Sequence, residues 1–337
     1  MIITKTPFRM SFFGGGTDYL AFFKEYGGSV LSTTFDKYCY VIARPLLPFF
    51  SFKNQITYSK IERTYSRDEI EHPAVRNAMK YLDMHDLRLV YESDLPARSG
   101  LGSSSSFVVG MLHAFYALKG KYVDKRKLAE DAIYVERTLC KEDGGWQDQI
   151  ECSYGGFNCI NFDASGFTVL PILIHPQRKQ ALNDRLLLYF TGFSRFSSEI
   201  SKGQVAALSS KIEQLLHMKS LVHTAMSILT DESADLDDFG RLLHETWMLK
   251  RGIHSRITSD AVDIIYNQAR SAGALGGKLL GAGGGGFILF YVPPERKKVV
   301  KSALHKLLHV PFAFENEGTR IMYYRHEDYE LPRNQNE

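Results

Sequence analysis

A run of small residues, LPARSGLGSSSS at positions 95–106, leads directly into an apolar stretch that predicts a buried helix. A helix N-terminus presents unpaired N–H groups and a partial positive charge, and small residues let phosphate oxygens reach them. Four consecutive serines add hydroxyl donors and a candidate Mg²⁺ ligand, whereas a helix cap needs only one serine. The run therefore predicts a site for the phosphates of a nucleotide. The residues predicted to hold the nucleotide are Pro96, Ser99, Gly100, Leu101, Gly102, Ser103, Ser104, Ser105 and Ser106.

A second glycine segment, SFFGGGTDY at 11–19, follows the first predicted strand. Three glycines in a row mark backbone that approaches a ligand or another strand closely, and a plain hairpin turn explains them equally well. Asp18 comes directly after them and has two interpretations. Its carboxylate can accept hydrogen bonds from ligand hydroxyls, or it can cap a helix over residues 19–25.

A third segment, GAGGGG at 281–286, matches the GxGxxG pattern of dinucleotide sites only formally. That site requires a helix directly after the glycines, but residues 287–291, FILFY, predict a strand. The segment is therefore predicted to join two strands. Lys278 is followed by Leu279, which excludes a P-loop, and the HRD loop of protein kinases is absent from the sequence.

Glu136 and Asp148 are two acidic residues separated by a glycine pair at 144–145. They can share a site only if the chain turns back between them, and the glycines permit such a turn. For Glu136 the alternative is a charged residue on a solvent-exposed helix face.

The elements that must position these residues mix strands and helices without a regular βαβ alternation, which predicts an α+β fold. Strands are predicted at 2–4, 29–45 (as a pair), 87–92, 157–163, 167–172, 184–190, 276–280, 286–292, 311–314 and 319–324. Helices are predicted at 73–84, 103–119, 125–139, 198–229, 236–250, 259–272 and from Pro293 to 309. A polar, proline-containing stretch at 170–184 predicts the boundary between two domains.

Composition narrows the function classes. The net charge of +3 arises from 41 basic and 38 acidic residues spread along 337 positions, so no basic face for nucleic acid is predicted. No apolar run reaches the roughly 18 residues of a spanning helix, and the first ten residues lack the apolar core of a signal peptide. The four cysteines form no CxxC pair, which is typical of reduced thiols. These features predict a cytoplasmic protein without a membrane or nucleic-acid partner.

In order along the chain, the three glycine segments resemble the motifs of the GHMP kinases, the superfamily of galactokinase, homoserine kinase and mevalonate kinase. The residues that carry the resemblance are TPFRMS at 6–11 with GGGTDY at 14–19, the serine run at 95–106, and residues 278–287. Within the superfamily the chain is most similar to the D-glycero-D-manno-heptose 7-phosphate kinases, through Arg9 with GGGTD at 14–18, GWQDQ at 145–149 and GGKLLGAGGGGF at 276–287. Galactokinases have a Glu-His pair where Gly15 and Gly16 stand here.

The resemblance implies an N-terminal ATP-binding part like ribosomal protein S5 domain 2, at residues 1–175, and a ferredoxin-like C-terminal part, at 176–337. It implies ATP and Mg²⁺ as cofactors and phosphorylation of the anomeric hydroxyl of D-glycero-D-manno-heptose 7-phosphate to the 1,7-bisphosphate. A fucose-type or galactose-type sugar 1-kinase is the alternative. A catalytically dead sugar sensor is disfavoured, because both acids and the serine run are present. A homodimer is a candidate oligomeric state.

The resemblance also implies roles for single residues. Asp148 faces the attacking hydroxyl, Arg9 stabilises charge on the transferring phosphoryl group, and Ser104 with Glu136 ligates Mg²⁺. The residues expected to bind the sugar are Gly15, Gly16, Thr17, Asp18, Trp146, Arg195, Gly283 and Gly284. A phosphate on the sugar needs further cations, for which the candidates are Arg98, Arg195, Lys202, Lys250 and Arg251.

Overall fold

Two β-sheets, one built mainly from each half of the chain, position the predicted site. The computed structural model describes residues 1–97, 99–192, 203 and 210–326. Within those residues the first sheet has nine strands and the second has four. Both sheets combine with helices and no regular βαβ alternation occurs, which confirms the α+β prediction.

The first sheet has the order β13-β1-β2-β5-β3-β4, with β6 and β12 also paired to β2 and with β7 paired to β6. Its strands are β1 Ile2–Phe13, β2 Gly28–Pro45, β3 Asn54–Thr57, β4 Ile61–Thr64, β5 Leu87–Ser93, β6 Phe157–Asp163, β7 Gly166–Pro171, β12 Phe314–Glu315 and β13 Arg320–Tyr324. The hairpin predicted over 157–172 is confirmed by the β6–β7 pairing. The β3–β4 hairpin was not predicted.

The region predicted as a pair of strands at 29–45 is a single strand, β2, so that prediction was wrong. No glycine, proline or asparagine lies between Val30 and Ile42, and the turn-favouring Asp36 is accommodated by an irregularity within the strand. The register against β1 shifts between Pro7 and Phe8, and the chain bulges there rather than turning. The bulge also accommodates Pro7, which has no N–H to donate to the sheet.

The second sheet is antiparallel, in the order β11-β8-β10-β9. Its strands are β8 Leu186–Phe190, β9 Gly276–Leu279, β10 Phe287–Tyr291 and β11 Leu308–Val310. The glycine segment at 281–286 lies between β9 and β10, which confirms that it joins two strands. The predicted helix from Pro293 to 309 ends early, at Ala303, because the chain then pairs with β8 as β11.

The α-helices, numbered as described, are α1 Leu20–Tyr26, α2 Pro73–Tyr81, α3 Ser103–Leu118, α4 Lys125–Ile133, α5 Gln147–Tyr154, α6 Pro176–Arg185, α7 Ile212–Thr230, α8 Asp237–Arg251, α9 Asp260–Ser271 and α10 Lys297–Ala303. Short 3₁₀ turns lie at Arg67–Glu69 and Pro294–Arg296, and a π-helical turn at Tyr134–Leu139 continues α4. The helix predicted over 198–229 falls partly outside the described residues. Helix α5 was not predicted, and α6 lies in the stretch that was predicted as a polar domain boundary.

The strands β12 and β13 return from the C-terminal end of the chain to the first sheet. The boundary between residues 175 and 176 therefore remains a prediction for the domains, but sheet membership does not follow it after residue 310. The sequence carries no signal for this return, because pairing partners more than 270 residues apart leave no local pattern.

Helix α3 is the central element of the first half, and its predicted burial is confirmed. A Cβ atom on Gly110 would lie 2.7 Å from Thr6 Oγ1, so the glycine permits close packing of α3 on β1. Thr4 Oγ1 donates a hydrogen bond to the Gly110 carbonyl at 2.9 Å, and the Arg9 amide donates to Leu101 O at 3.1 Å. These contacts fix the start of α3 beside the C-terminal half of β1. No helix among the described residues is long and apolar enough to cross a membrane.

Candidate active site

A cleft forms where the ends of β1, α3 and α5 meet the loop between β9 and β10. Both halves of the chain contribute side chains to it. Arg9, Asp18 and Asp148 come from the first half, and Lys250 and Lys278 come from the second.

The serine run enters α3 through two glycines in the left-handed backbone region. Gly100 has φ 80° and Gly102 has φ 78°, conformations that disfavour other residues. Gly102 is the N-cap of α3 and has no side chain to cover the amides of the first turn. A Cβ on Gly100 would lie 2.5 Å from Leu280 O, so the third glycine segment packs directly on this loop.

Arg9 and Asp148 form a two-point ion pair at the floor of the cleft. Arg9 Nε donates to Asp148 Oδ1 at 2.8 Å, and a terminal nitrogen donates to Oδ2 at 2.7 Å. The other terminal nitrogen donates to the Gly100 carbonyl at 2.8 Å. Burial alone lowers the pKa of Arg9, but the Asp148 carboxylate outweighs it and the pKa is raised. Arg9 therefore holds the carboxylate and the phosphate loop in one arrangement.

Asp18 connects the first glycine segment to helix α5. Its carboxylate accepts hydrogen bonds from Gly16 N at 2.9 Å and from Gln147 N, the first residue of α5, at 3.3 Å. Burial raises the pKa of Asp18, and these amide hydrogen bonds oppose the increase. The alternative in which Asp18 caps α1 was wrong, because Tyr19 holds that N-cap position.

Glu136 lies on the π-helical turn that follows α4 and is 1% exposed, so the alternative of an exposed helix face was wrong. Ser104 Oγ donates to its Oε1 at 2.8 Å, and Ser105 Oγ donates to its Oε2 at 2.7 Å. Gln149 donates to the same carboxylate. π-Helical turns are frequent at functional sites.

Two buried lysines reach the cleft from the second half. Lys250, on α8, donates to the carbonyls of Leu279 and Gly281, and Lys278, on β9, donates to Phe12 O at 2.7 Å. Burial and, to a smaller extent, the positive charge of Arg9 lower the pKa of Lys250 to about 7. Burial likewise lowers the pKa of Lys278, to well below its ordinary value. Lys278 therefore ties β9 to β1 across the two halves, and Lys250 holds the start of the β9–β10 loop within the second half.

Two stretches of the chain match the models of a known protein family. Residues 70–156 match the GHMP kinases N terminal domain, and residues 226–310 match the GHMP kinases C terminal domain. The D-glycero-alpha-D-manno-heptose 7-phosphate kinase of Campylobacter jejuni is 30% identical over 95% of this chain and 98% of that protein. The chain belongs to the GHMP kinase family. It is an ATP-dependent phosphotransferase with the fold of that family.

A solved structure extends the similarity of this GHMP kinase to three dimensions. The D-glycero-D-manno-heptose 1-phosphate kinase of Bacteroides thetaiotaomicron superposes with a TM-score of 0.78 at 26% identity, over 96% of this chain and 100% of that chain. The L-fucokinase/L-fucose-1-P guanylyltransferase of Bacteroides fragilis is 30% identical over 56% of this chain, which matches 20% of that larger protein.

Most of the predicted nucleotide-binding residues of this GHMP kinase line the cleft. Those that do are Gly100, Gly102, Ser103, Ser104 and Ser105. Four others are not among its lining residues: Pro96, Ser99, Leu101 and Ser106. Leu101 lies in the hydrophobic core, and Ser106 Oγ donates to Ser103 O at 3.1 Å, so both support the loop from behind.

Of the residues predicted to bind the sugar, Gly15, Gly16 and Asp18 line the cleft. Thr17 does not, because its hydroxyl donates to Gly14 O and Ser29 O within the turn. Trp146 packs on Phe23 instead, with ring centroids 4.8 Å apart. Gly283 and Gly284 pack on Ile257. The structure therefore does not bring Thr17, Trp146, Gly283 or Gly284 to the cleft.

Of the basic residues predicted to bind a substrate phosphate, one lines the cleft. Arg98, Arg195 and Lys202 lie outside the described residues. Arg251 pairs with Asp263 at 2.5 Å, and Lys250 lines the cleft. Sequence reasoning assigned no role to Ser11, Gln147 or Lys278, although all three line the cleft and stand inside the recognised motifs. Their position within those motifs was the available signal.

Gly145→Ala is expected to raise the KM for the acceptor and to destabilise the fold by about 1–3 kcal/mol. An added Cβ would lie 1.8 Å from Asp18 Oδ2, so the carboxylate or the loop has to move. Steady-state kinetics and thermal unfolding measure both effects. Gly144→Ala is the matched comparison, because its Cβ meets the guanidinium of Arg137, which donates to Gly145 O, and not the Asp18 carboxylate. Equal losses in the two variants would contradict the contact with Asp18 as the cause.

Glu151→Gln is expected to flatten the dependence of stability on pH. Burial raises the pKa of Glu151 to about 8 from 4.5, although Ser32 and Asn158 donate hydrogen bonds that lower it. The folded state therefore binds the proton more tightly than the unfolded state, and stability is lost as pH rises from about 4.5 to about 8. The variant removes that loss, on the order of a few kcal/mol at pH 8.

Chemical denaturation at several pH values between 4.5 and 8 gives the free energy of unfolding of wild type and Glu151→Gln as a function of pH. Glu213→Gln, a change at an exposed position of α7, is the control and should leave the slope unchanged. A wild-type slope that persists in Glu151→Gln would refute the assignment.

Proposed function

We propose that this GHMP kinase transfers the γ-phosphoryl group of ATP to the anomeric hydroxyl of D-glycero-D-manno-heptose 7-phosphate, which gives the 1,7-bisphosphate. The observation that carries the proposal is the carboxylate of Asp148 held by Arg9 beside the N-terminus of α3. The proposed binding site for the ATP phosphates and the carboxylate for the attacking hydroxyl thereby face one cleft. The similarity to a heptose 7-phosphate kinase along nearly the whole chain supports the choice of acceptor.

The serine run is proposed to bind the β- and γ-phosphates of ATP. Gly100 and Gly102 let the phosphates approach the backbone, and the partial positive charge at the start of α3 attracts them. This arrangement is already formed in the protein, so little reorganisation is needed when charge develops during transfer.

Ser104 and Glu136 fit a Mg²⁺ ion by the chemistry of their donors. A carboxylate and a hydroxyl oxygen lie within hydrogen-bond distance of each other at the edge of the phosphate loop. Mg²⁺ in kinases is held by one or two carboxylates together with substrate phosphates and water. When bound there, the ion neutralises phosphate charge. The hydrogen bonds from Ser105 and Gln149 orient the carboxylate toward that task.

Asp148 is proposed to orient the acceptor hydroxyl and to accept its proton. Each carboxylate oxygen accepts one hydrogen bond from Arg9, and each keeps a further lone pair for the hydroxyl. Phosphoryl transfer has a loose transition state, so positioning matters more than strong basicity. An anomeric hydroxyl is also more acidic than an ordinary alcohol, because the ring oxygen withdraws electrons. The carboxylate of Asp148 therefore needs only modest basicity, which an ion-paired carboxylate retains.

Arg9 is proposed to act on both sides of the reaction. Three of the five N–H groups of its guanidinium are used by Asp148 and Gly100 among the described residues, which leaves two for a phosphoryl oxygen. It thus fixes the carboxylate and offers positive charge to the group in transfer. Of the candidates for the substrate phosphate, Lys250 lies within the described residues and lines the cleft, and it is proposed to bind that phosphate.

Proteins similar to this chain suggest two alternative acceptors. The solved structure that superposes on this chain is of a heptose 1-phosphate kinase, and part of the chain resembles an L-fucokinase. Heptose 1-phosphate and L-fucose are therefore the alternative acceptors for the same cleft.

The proposal is tested with purified protein, MgATP and four acceptors: heptose 7-phosphate, heptose 1-phosphate, L-fucose and D-galactose. ADP release gives the rate, and ³¹P NMR of the product shows whether the new phosphate is on the anomeric carbon. The highest kcat/KM is expected with heptose 7-phosphate. A higher kcat/KM with one of the other three would refute the proposed acceptor.

A further inference from the structure

We propose that Ser11, Gly15 and Gln147 form a subsite that binds a hydroxyl of the acceptor sugar and thereby selects the acceptor. The inference rests on the proposed function for the class of ligand. It adds two side chains, Ser11 and Gln147, to which no role in the site was assigned above.

The first observation concerns Ser11, near the end of β1. Its residue is 6% exposed and lines the cleft, yet its Oγ has no hydrogen-bond partner among the described residues. A buried hydroxyl without a partner costs free energy, and native proteins pair most such groups. Because the Ser11 hydroxyl faces the cleft, a bound ligand can provide the missing hydrogen-bond partner.

The second observation concerns Gln147, the first residue of α5. Its backbone amide donates to Asp18, but its buried side-chain Oε1 has no partner in the described part of the chain. The neighbouring Asp148 carries the proposed catalytic carboxylate. A ligand held by the Gln147 amide is therefore one residue away from the acceptor position.

Gly15 connects these two observations. A Cβ built on Gly15 would lie 3.6 Å from Ser11 Oγ and 3.8 Å from Gln147 Nε2, so both side chains border the same small space. Gly14 and Gly16 have positive φ, but Gly15 does not, so its backbone conformation is open to other residues. The absence of a side chain at 15 is thus not required by the turn. It leaves room between a hydroxyl and an amide.

The chemistry of this space selects a hydroxyl rather than a phosphate. Serine and glutamine supply both donors and acceptors, and a sugar hydroxyl needs both. The buried carboxylate of Asp18 borders this space, because it accepts hydrogen bonds from the amides of Gly16 and Gln147, and a carboxylate repels a phosphate dianion. An unpaired amide oxygen accepts hydrogen bonds only, and a dianion has no proton to donate to it. The subsite therefore recognises a neutral part of the acceptor.

The test compares Ser11→Ala and Gly15→Ala with wild type, using heptose 7-phosphate and L-fucose as acceptors at saturating MgATP. Ser11→Ala is expected to raise the acceptor KM about fivefold, because one hydrogen bond to the ligand is lost. Gly15→Ala is expected to raise it more, at least about twentyfold, because the methyl group fills the space. The KM for ATP should change less than about twofold in both, and the Tm should not fall in Ser11→Ala.

Tyr189→Phe is the control, because Tyr189 also has a buried hydroxyl without a partner among the described residues, but it lies on β8 and does not line the cleft. It should leave the acceptor KM unchanged. An acceptor KM within twofold of wild type in both Ser11→Ala and Gly15→Ala overturns the subsite. A folding defect in Gly15→Ala is detected by its Tm, and Ser11→Ala then decides alone.

The two proposals fail separately in this experiment. Wild-type preference for L-fucose over the heptose phosphate refutes the proposed acceptor, and the variants are then compared with L-fucose. A single-hydroxyl deletion strengthens the test: against the deoxy sugar that lacks the bound hydroxyl, Ser11→Ala should show no further loss. An unchanged fivefold loss against every deoxy analogue would show that Ser11 acts on the fold and not on the ligand.

Discussion

Asp148→Asn is expected to lower kcat by about a hundredfold or more while ATP affinity stays within about twofold of wild type. Asparagine keeps the shape of the side chain and one oxygen acceptor, but it cannot accept the hydroxyl proton. It also removes one of the two hydrogen bonds from Arg9, so the guanidinium loses its charge partner at the floor of the cleft. Single-turnover kinetics measure the chemical step, and calorimetry with a non-hydrolysable ATP analogue measures nucleotide binding.

The control for Asp148 is Asp260→Asn, an exposed residue at the start of α9 that does not line the cleft. Its turnover should equal that of wild type. Near-wild-type turnover in Asp148→Asn would show that the carboxylate does not act on the hydroxyl. A large loss of ATP affinity in the same variant would instead indicate that Asp148 serves mainly to hold Arg9 and the phosphate loop.

Glu136→Gln is expected to reduce kcat/KM for MgATP by about a hundredfold or more. The carboxylate is buried and accepts hydrogen bonds from Ser104, Ser105 and Gln149. A glutamine there presents its own NH₂ group to one of these donors, and it removes the negative charge that attracts Mg²⁺. The Mg²⁺ concentration needed for half-maximal rate should therefore rise. Addition of EDTA to the wild type should abolish the rate, and excess Mg²⁺ should restore it.

A binding measurement separates weaker binding of MgATP from damage to the fold as the cause of a loss in Glu136→Gln. The thermal shift produced by MgATP should become much smaller in Glu136→Gln, whereas the Tm of the unliganded variant reports damage to the fold. Glu130→Gln is the matched control, because Glu130 lies on the adjoining α4 in an exposed pair with Arg126, and such pairs contribute little to stability. An unchanged dependence on Mg²⁺ concentration in Glu136→Gln would refute Glu136 as a metal ligand.

The buried lysines give the cleft positive charge that depends on whether an anion is bound. Lys250 and Lys278 donate to carbonyl groups that belong to the β9–β10 loop and to β1, and their side chains have little access to water. Because burial lowers their pKa, an approaching anion raises it again and favours the charged form. Phosphate binding in this cleft is therefore expected to be accompanied by proton uptake near pH 7.

The sequence by itself determined the motifs and the local elements that carry them. The serine run predicted a phosphate site at the start of a buried helix, and α3 begins at Ser103 as expected. The third glycine segment predicted a connection between strands, and β9 and β10 flank it. These predictions succeeded because small residues, apolar periodicity and turn chemistry act over a few residues and are visible in the sequence.

Only the tertiary structure decided which residues share the cleft. Arg9 and Asp148 are 139 positions apart and form one ion pair, and Lys278 reaches Phe12 across 266 positions. Thr17 and Trp146 stand in the same motifs but face the turn and Phe23. The side a residue faces depends on the packing of distant elements, and that packing minimises the free energy of the whole chain. For this reason no local pattern could have separated Ser11 and Gln147, which line the cleft, from their neighbours.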